Sequence, residues 1–359
     1  MERIERDNRR DPDLLRTPEE VCLATFWRQA TSGVSYYRCL LPARHLPGQM
    51  CRFELDRIGW KDGFELGDPH GLDLPLHRGT AIWSYLGDDA RARVAFALQD
   101  QGIRTLLEVD DNYTQSPKRW GINWAETHQE AQGIIGYSHE QHRHLVGIAD
   151  GVIVSTPHLA EVYGEYNDNI YLCRNSIEPD DWGLPQKKDD GILRIGYMGS
   201  AVHVYDFPMV KKALKWAARQ KDVEVYTWGF DVPVPVGTAM PWVDGLDEFR
   251  KTLPLWDVGL APLQGNDWNK SKSDIKAMEY AMAGALPVVS RVESYAPWWR
   301  DRGWPYVAST PEDWTEIIQH LVRNRDEVKA GAEDALGYVL AERTIKSEIH
   351  AWKEAVLDG

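Results

Sequence analysis

The sequence predicts an α/β protein of two domains, each a parallel sheet wound by helices on both faces. Three observations predict it. At 359 residues the chain is longer than one hydrophobic core usually serves. Short, fully apolar runs alternate with longer amphipathic stretches, the pattern of parallel strands covered on both faces. A polar, aperiodic segment over residues 178–191, with two prolines and clustered charges, divides the chain into halves of similar size.

Taken in order, strands are predicted over Thr80–Ser84, Arg104–Val109, Gly151–Ser155 and Ile170–Cys173. Beyond the polar segment they follow over Leu193–Tyr197, Val223–Trp228, Val258–Ala261 and Leu286–Ser290. Between Asp206 and Gln220, Val210, Ala213, Leu214 and Ala217 recur at helical spacing. From Trp314 onward the tail is helical, with no proline or strand signal. The expected domains are therefore residues 1–178, a linker over 179–191, a second domain over 192–335 and a closing helix over 336–359 that packs back on the first domain. Doubly wound sheets hold ligands beyond the carboxyl ends of their strands, so two of them point to a cleft.

Composition narrows the function. Apolar residues at 43% and charged residues at 27% exclude a largely disordered chain. No apolar run is long enough to span a bilayer, and the charged start, Met1 to Arg10, has no apolar signal region. Cys22, Cys39, Cys51 and Cys173 show no metal-binding or C-x-x-C spacing, so they read as reduced thiols of a cytoplasmic protein. A net charge of −14 disfavours a sequence-independent nucleic-acid binder, although a local basic groove stays open. Sixteen tryptophans are an excess that serves either as core or as platforms for sugar rings.

Three segments carry chemistry. In residues 193–206 a strand runs through Gly196 to Gly199 and a helix follows Asp206. The glycines either let backbone approach an anion or simply serve the turn. In residues 267–279, Ser271 and Asp274 fit an S-x-x-D capping box that starts a helix near Ser271. Lys270, Lys272 and Ser273 then lie at a helix N-terminus suited to a diphosphate, with Glu279 two turns further on, where a carboxylate can accept from a ribose diol. The other reading is a capped surface helix with solvated charges. In residues 104–113, Glu108, Asp110 and Asp111 crowd a strand end, either as ligands of sugar hydroxyls or as an Asx-rich turn. His139, Glu140, His142 and His144 do not fit H-E-x-x-H and read as a solvated helix face rather than a metal site. G-x-S-x-G and Walker A motifs are absent from the sequence.

Read in order, these segments resemble the GT-B glycosyltransferases, in particular the large retaining nucleotide-sugar family with an E-x7-E motif. Residues 149–160 are similar to the late strand and helix of that family's first domain. Residues 173–182 resemble its P-N-G-I-D turn, with Arg174 and Ser176 in place of Pro and Gly. Residues 195–203 resemble its phosphate loop, and residues 257–263, 270–276 and 279–289 its donor-binding run. Glu279 matches the second Glu of the motif, while Ser271 stands at the first.

The resemblance implies two Rossmann-like domains facing each other across a cleft, an acceptor domain first and a donor domain second. It implies a hexosyl transfer from a UDP- or GDP-sugar to a hydroxyl acceptor, with retention and without an essential metal or other cofactor. Gly199, Ser200, His203, Lys272, Ser273, Lys276 and Glu279 would bind the donor. Gly33 in the first glycine-bearing loop, Arg38 and Asp110 would complete the site, with Asp110, Arg38 and Lys272 closest to the chemistry. The acceptor is a glycan, a protein, a small molecule or a modified DNA base. The alternatives are a GT-B-like protein that binds a glycan or nucleotide without turnover, and a phage-type DNA base glycosyltransferase.

Overall fold

The computed structural model describes residues 22–27, 33–46, 49–54, 79–84, 95, 99–100, 102–114, 139–183, 185, 190–199, 203–229, 236–241, 243 and 245–358. The chain divides into two compact units. One takes in Gln132–Arg174, Ile345–Gly359 and the described residues before Ser116; the other includes Asn175–Thr344.

In the first unit the strands are β1 (Cys22–Trp27), β2 (Gln49–Glu54), β3 (Thr80–Ser84), β4 (Arg104–Val109), β5 (Gly151–Val154) and β6 (Ile170–Leu172). They form one sheet in the order β2-β1-β3-β4-β5-β6, and every neighbouring pair is parallel. Helix α1 (His139–Ile148) precedes β5 and α2 (Pro157–Gly164) follows it. Thr156 caps α2, its hydroxyl accepting from the Leu159 amide, and Pro157 fits the first helical position.

The core of this unit is finished by the far end of the chain. Ile82, Leu106 and Ile153, one from each central strand, pack with Leu46 and Cys173 against Trp352, Ala355 and Val356. The tail is also bound by polar contacts. Thr80 Oγ1 donates to the Val356 carbonyl at 3.0 Å, and Arg104 donates to the Ala355 carbonyl.

The second unit holds β7 (Leu193–Met198), α3 (Phe207–Ala217), β8 (Val223–Trp228), β9 (Thr238–Met240), β10 (Val258–Ala261), α4 (Ile275–Met282), β11 (Leu286–Ser290), β12 (Val307–Ala308), α5 (Pro311–Arg323) and α6 (Arg325–Glu342). Its parallel sheet runs β12-β11-β10-β7-β8-β9, so the direction of winding reverses between β7 and β10. Helix α5 packs on α3, and α6 packs on α4 and β11. Helix α7 (Ile345–Lys353) follows and belongs to the first unit.

One packing detail sets the depth of α4. Gly196 of β7 and Gly259 of β10 are register partners. A Cβ on Gly196 would lie 1.9 Å from the Trp256 ring, and one on Gly259 would lie 2.3 Å from the Tyr280 ring. The two rings fill the slot left by the missing side chains, their centroids 6.0 Å apart. Gly196 therefore makes room for a buried indole and not for a ligand, which corrects half of the sequence reading of that loop.

Gly196→Ala has no relaxed solution, because the added carbon falls inside the ring of Trp256, which is itself fully buried. Overpacking of this kind costs about 1–3 kcal/mol and sometimes more. Urea unfolding is expected to show a loss of about 3 kcal/mol, partly recovered in Gly196→Ala/Trp256→Leu. Gly164→Ala, at the end of α2 with nothing within 4 Å of the added carbon, is expected to change stability by less than about 0.5 kcal/mol.

Candidate functional site

Ligands of open α/β sheets bind beyond the carboxyl ends of the strands where the winding reverses. In the second unit that place lies between β7 and β10. The chain leaving β7 carries Gly199, His203 and Asp206; the chain leaving β10 leads through residues 262–274 into α4. Gly199 is buried and its amide donates to the Trp228 carbonyl at 3.0 Å. Ser200, expected at this site, lies outside the described residues, as do Thr31 and Ser32 of the first glycine-bearing loop.

Asp206 joins the two loops. Its Oδ1 accepts from the Gln264 amide and from Asn269 Nδ2, both at 2.8 Å, and its Oδ2 lies 2.9 Å from His203 Nδ1. Gln264 Nε2 returns a bond to the Tyr205 carbonyl at 2.5 Å. Asp206 and Asn269 are both buried, so these bonds offset the cost of enclosing a carboxylate. Burial pushes the His203 imidazole down to about 4, aided by the nearby Lys276 charge and opposed by Asp206. His203 is thus neutral at pH 7. Its Nδ1–H is taken by the carboxylate, which leaves Nε2 as an acceptor for a hydroxyl.

The predicted capping box at Ser271 does not form. Asp267–Lys270 is a separate short turn that ends at Ser271, and α4 begins at Ile275 with Asp274 as its N-cap residue. Glu279 is therefore one turn into the helix, not two. The reason is tertiary. Arg343 takes both oxygens of Asp274, at 2.6 and 2.9 Å, and Trp299 Nε1 donates to the same carboxylate at 3.1 Å. Asp274 makes no side-chain cap, and neither does Asp206 at the N-cap of α3. Two helix N-termini beside the winding reversal are thus left without the carboxylate that stands at their start, and such ends favour an anion.

Lys276 lies in the first turn of α4. The residue is half-buried, but its Nζ is enclosed and has no hydrogen-bond acceptor among the described residues. Burial pushes this ammonium down to about 8, with Asp206 and Glu279 supporting its charge and Lys272 opposing it. Lys272 Nζ sits 4.7 Å from the centroid of the Trp268 ring, a cation–π contact. Ser273 Oγ accepts from Asn175 Nδ2 at 2.7 Å. The structure thus gathers Lys272 and Lys276 with the buried Glu279 and Asp206 and the half-buried His203 in one electrostatic locality. Asp206, Asn269, Asn175 and Arg343 were not singled out from sequence. Asp206 had one signal, a carboxylate at a helix start after a glycine loop.

The first unit carries Gly33, Arg38 and Asp110. Gly33 opens the turn Gly33–Ser35, and among the described residues nothing lies within 4 Å of where a Cβ would be. Arg38 is 1% exposed. Its Nε donates to Glu108 Oε1 and its Nη1 to the Cys173 carbonyl, each at 2.5 Å, and its guanidinium lies 5.1 Å from the Trp352 ring centroid. Glu108 is accordingly an internal ion-pair partner, not a carboxylate offered at the strand end. Asp110, half-buried just past β4, accepts from Tyr113 Oη at 3.3 Å.

The loop after β4 is held from behind. Tyr163 Oη donates to the Asp111 carbonyl at 2.9 Å and accepts from the Tyr113 amide at 3.1 Å, with His142 Nε2 3.0 Å away. His142 is buried, and burial pushes its imidazole down to about 3. It is an internal neutral side chain, which corrects the expectation of a solvated face, while Glu140 and His144 are exposed as expected. Among the described residues no cluster of three or more His, Cys, Asp or Glu side chains could hold a metal ion. No helix among them is long and apolar enough to cross a membrane.

No protein-family model matches this sequence, and no curated protein is significantly similar to it. Solved structures do match. A glycosyltransferase from Rickettsia africae ESF-5 is similar with a TM-score of 0.64 at 9% identity, over 95% of this chain and 100% of that one. Anabaena HepE in complex with UDP and glucose is similar at 0.60 and 10% identity, over 93% of this chain and 98% of that one. TarM is similar at 0.57 and 11% identity, over 77% of this chain and 54% of that one, so the match spans about half the length of TarM. With these neighbours and two all-parallel α/β sheets, the chain has the GT-B fold.

Proposed function

We propose that this protein is a glycosyltransferase that moves a hexose from a UDP-sugar to a hydroxyl acceptor. The observation that carries this reading is the enclosed Lys276 ammonium, without an acceptor among the described residues, beside two open helix N-termini at the winding reversal of the second unit. A diphosphate supplies the anion that such a place lacks. HepE, similar to this chain over nearly its whole length, is described with UDP and glucose and with UDP-glucose, which favours UDP among the nucleotides.

In this reading residues 192–335 form the donor domain, 1–178 the acceptor domain and 179–191 the link between them. Gly199, Ser200, Lys272, Ser273 and Lys276 receive the diphosphate, and Glu279 accepts from the ribose hydroxyls. His203 Nε2 accepts from a donor hydroxyl. As the glycosidic bond breaks, negative charge grows on the leaving UDP, and fixed cations and amides aimed there are worth the most to the transition state. Two lysines stand in for a divalent cation, so the reaction is proposed to need no metal. Gly33 and Asp110 serve the sugar and acceptor side, with Arg38 holding Glu108 and the strand ends in place. Retention and a cytoplasmic location are part of the proposal. Ser271 is fully buried where the family resemblance has a glutamate, which favours one second reading, a protein that binds UDP-sugar without turnover.

The test is a thermal-shift and calorimetry panel with UDP, GDP, ADP and dTDP, each with and without magnesium. UDP at about 100 times its dissociation constant should stabilise the protein by roughly 2.7 kcal/mol, independently of magnesium, and Glu279→Ala should weaken it roughly tenfold. No shift from any nucleotide would overturn the proposal. UDP binding without hydrolysis or transfer of UDP-glucose would favour the second reading.

Lys276 adds a pH signature. Its charged form is what a diphosphate needs, so UDP affinity should be nearly full at about pH 7 and below and fall roughly fivefold from pH 8 to pH 9 as the ammonium of the free protein deprotonates. Lys276→Arg should flatten that fall, while the titration of uracil itself is common to both proteins. Because the folded protein holds this proton less tightly than the unfolded chain, ligand-free stability should rise between about pH 8 and 10.5. A UDP affinity with the same pH profile in both proteins would remove Lys276 from the diphosphate.

A further inference from the structure

We infer that Asn175 and Arg343 are positioning residues that turn the Ser273 hydroxyl into a hydrogen-bond donor for the diphosphate, an inference that rests on the proposed UDP site. Ser273 immediately precedes Asp274, the N-cap residue of α4. Its Oγ receives the Asn175 Nδ2–H at 2.7 Å, and among the described residues Asn175 is its partner. A serine hydroxyl has one proton to give. With its lone pair engaged by the amide, that proton is directed to an acceptor that the described residues do not supply.

The geometry behind this is rigid. Arg343 Nη2 donates to the Asn175 carbonyl at 3.2 Å, while the same guanidinium grips Asp274 through two bonds and lies 4.6 Å from the Trp298 ring centroid. One arginine therefore anchors both the residue that feeds Ser273 and the residue next to it. Arg343 and Asp274 are 2% and 1% exposed. A buried ion pair of this kind adds little net stability over an apolar packing, so its value lies in fixing an arrangement. The arrangement it fixes is open to an anion. Asp274 is drawn away from capping α4, Ser273 is left with a proton to donate, and the Lys276 ammonium one turn on has no acceptor among the described residues. Ser273 Oγ–H, the first amides of α4 and Lys276 Nζ then act as one set of donors for a doubly charged phosphate chain.

The test compares UDP, measured by calorimetry, with uridine, measured by ligand-observed NMR, in wild type, Asn175→Ala, Asn175→Asp, Ser273→Ala and Asn175→Ala/Ser273→Ala. Thermal unfolding verifies that each variant is folded. Asn175→Ala and Ser273→Ala should each weaken UDP roughly fivefold to tenfold and change uridine less than about twofold. The double variant should bind UDP no more weakly than Ser273→Ala, because Asn175 acts only through that hydroxyl. Asn175→Asp keeps the shape but replaces the donor with an acceptor that recaptures the serine proton and repels phosphate. It should therefore bind UDP more weakly than Asn175→Ala, which a purely structural role would not produce. Additive losses in the double variant, parallel losses of uridine, or Asn175→Asp binding as well as wild type would overturn the inference while leaving the UDP site standing. Absence of UDP binding in wild type would instead overturn the site, and this inference with it.

Discussion

Gly196 and Gly259 face each other on neighbouring strands, and the position of α4 in the second unit is referenced to the slot between them. Tyr280 reaches that slot from α4, and its hydroxyl donates to the Leu260 carbonyl at 3.2 Å. The helix is thus held to the sheet at a depth set by a ring lying against backbone. Lys276 and Glu279 sit on the same helix, four residues and one residue before Tyr280, so their height above the strand ends follows from that contact. Packing this close leaves no slack: a methyl group in the slot would lift the helix and every charge it carries.

Around that frame the protein places its acids unusually. Aspartate at an N-cap ordinarily closes the helix end on itself. Thr156 and Thr310 do this in the ordinary way, the latter with Asp313 completing a reciprocal pair. Asp206 and Asp274 instead reach outward, one to the loop after β10 and the other to Arg343. The same two side chains that would have closed the helix ends hold the surrounding loops in register. Fixed loops and open amides are what a preorganised anion site needs, since the donors are then arranged before any ligand arrives.

Much of the fold was legible because it is written locally. The eight strands named from sequence are apolar runs bounded by turn residues, and all eight exist in the sheets. β1, Cys22 to Trp27, β2, Gln49 to Glu54, and the short edge strands β9 and β12 were not named: β2 mixes charged residues into its run, β9 and β12 are three and two residues long, and β1, an apolar run like those that were named, was missed. Lys272, Lys276 and Glu279 stood out as charges at and beyond a helix start, the lysines being an electropositive spot in an acidic chain. The capping box misled because S-x-x-D is satisfied over four residues, whereas Asp274 answers to an arginine 69 residues away. Gly196 looked like a ligand-facing glycine because nothing in its own neighbourhood announces the indole that occupies its space. Asn175 and Arg343 belong to no motif at all; only the folded chain brings them together.

The tail carries a consequence for how the protein is made. Domains usually fold as units in the order in which they are synthesised. Here Trp352, Ala355 and Val356 fill the centre of the first unit, against strands translated long before them. The second unit is complete at Thr344, before those residues exist. The nascent chain must therefore carry an unfinished first sheet, with the apolar faces of β3, β4 and β5 unsealed, through the whole synthesis of the second. Birth order and folding order run opposite ways, and for that interval the older half of the molecule is the one with apolar surface left to cover.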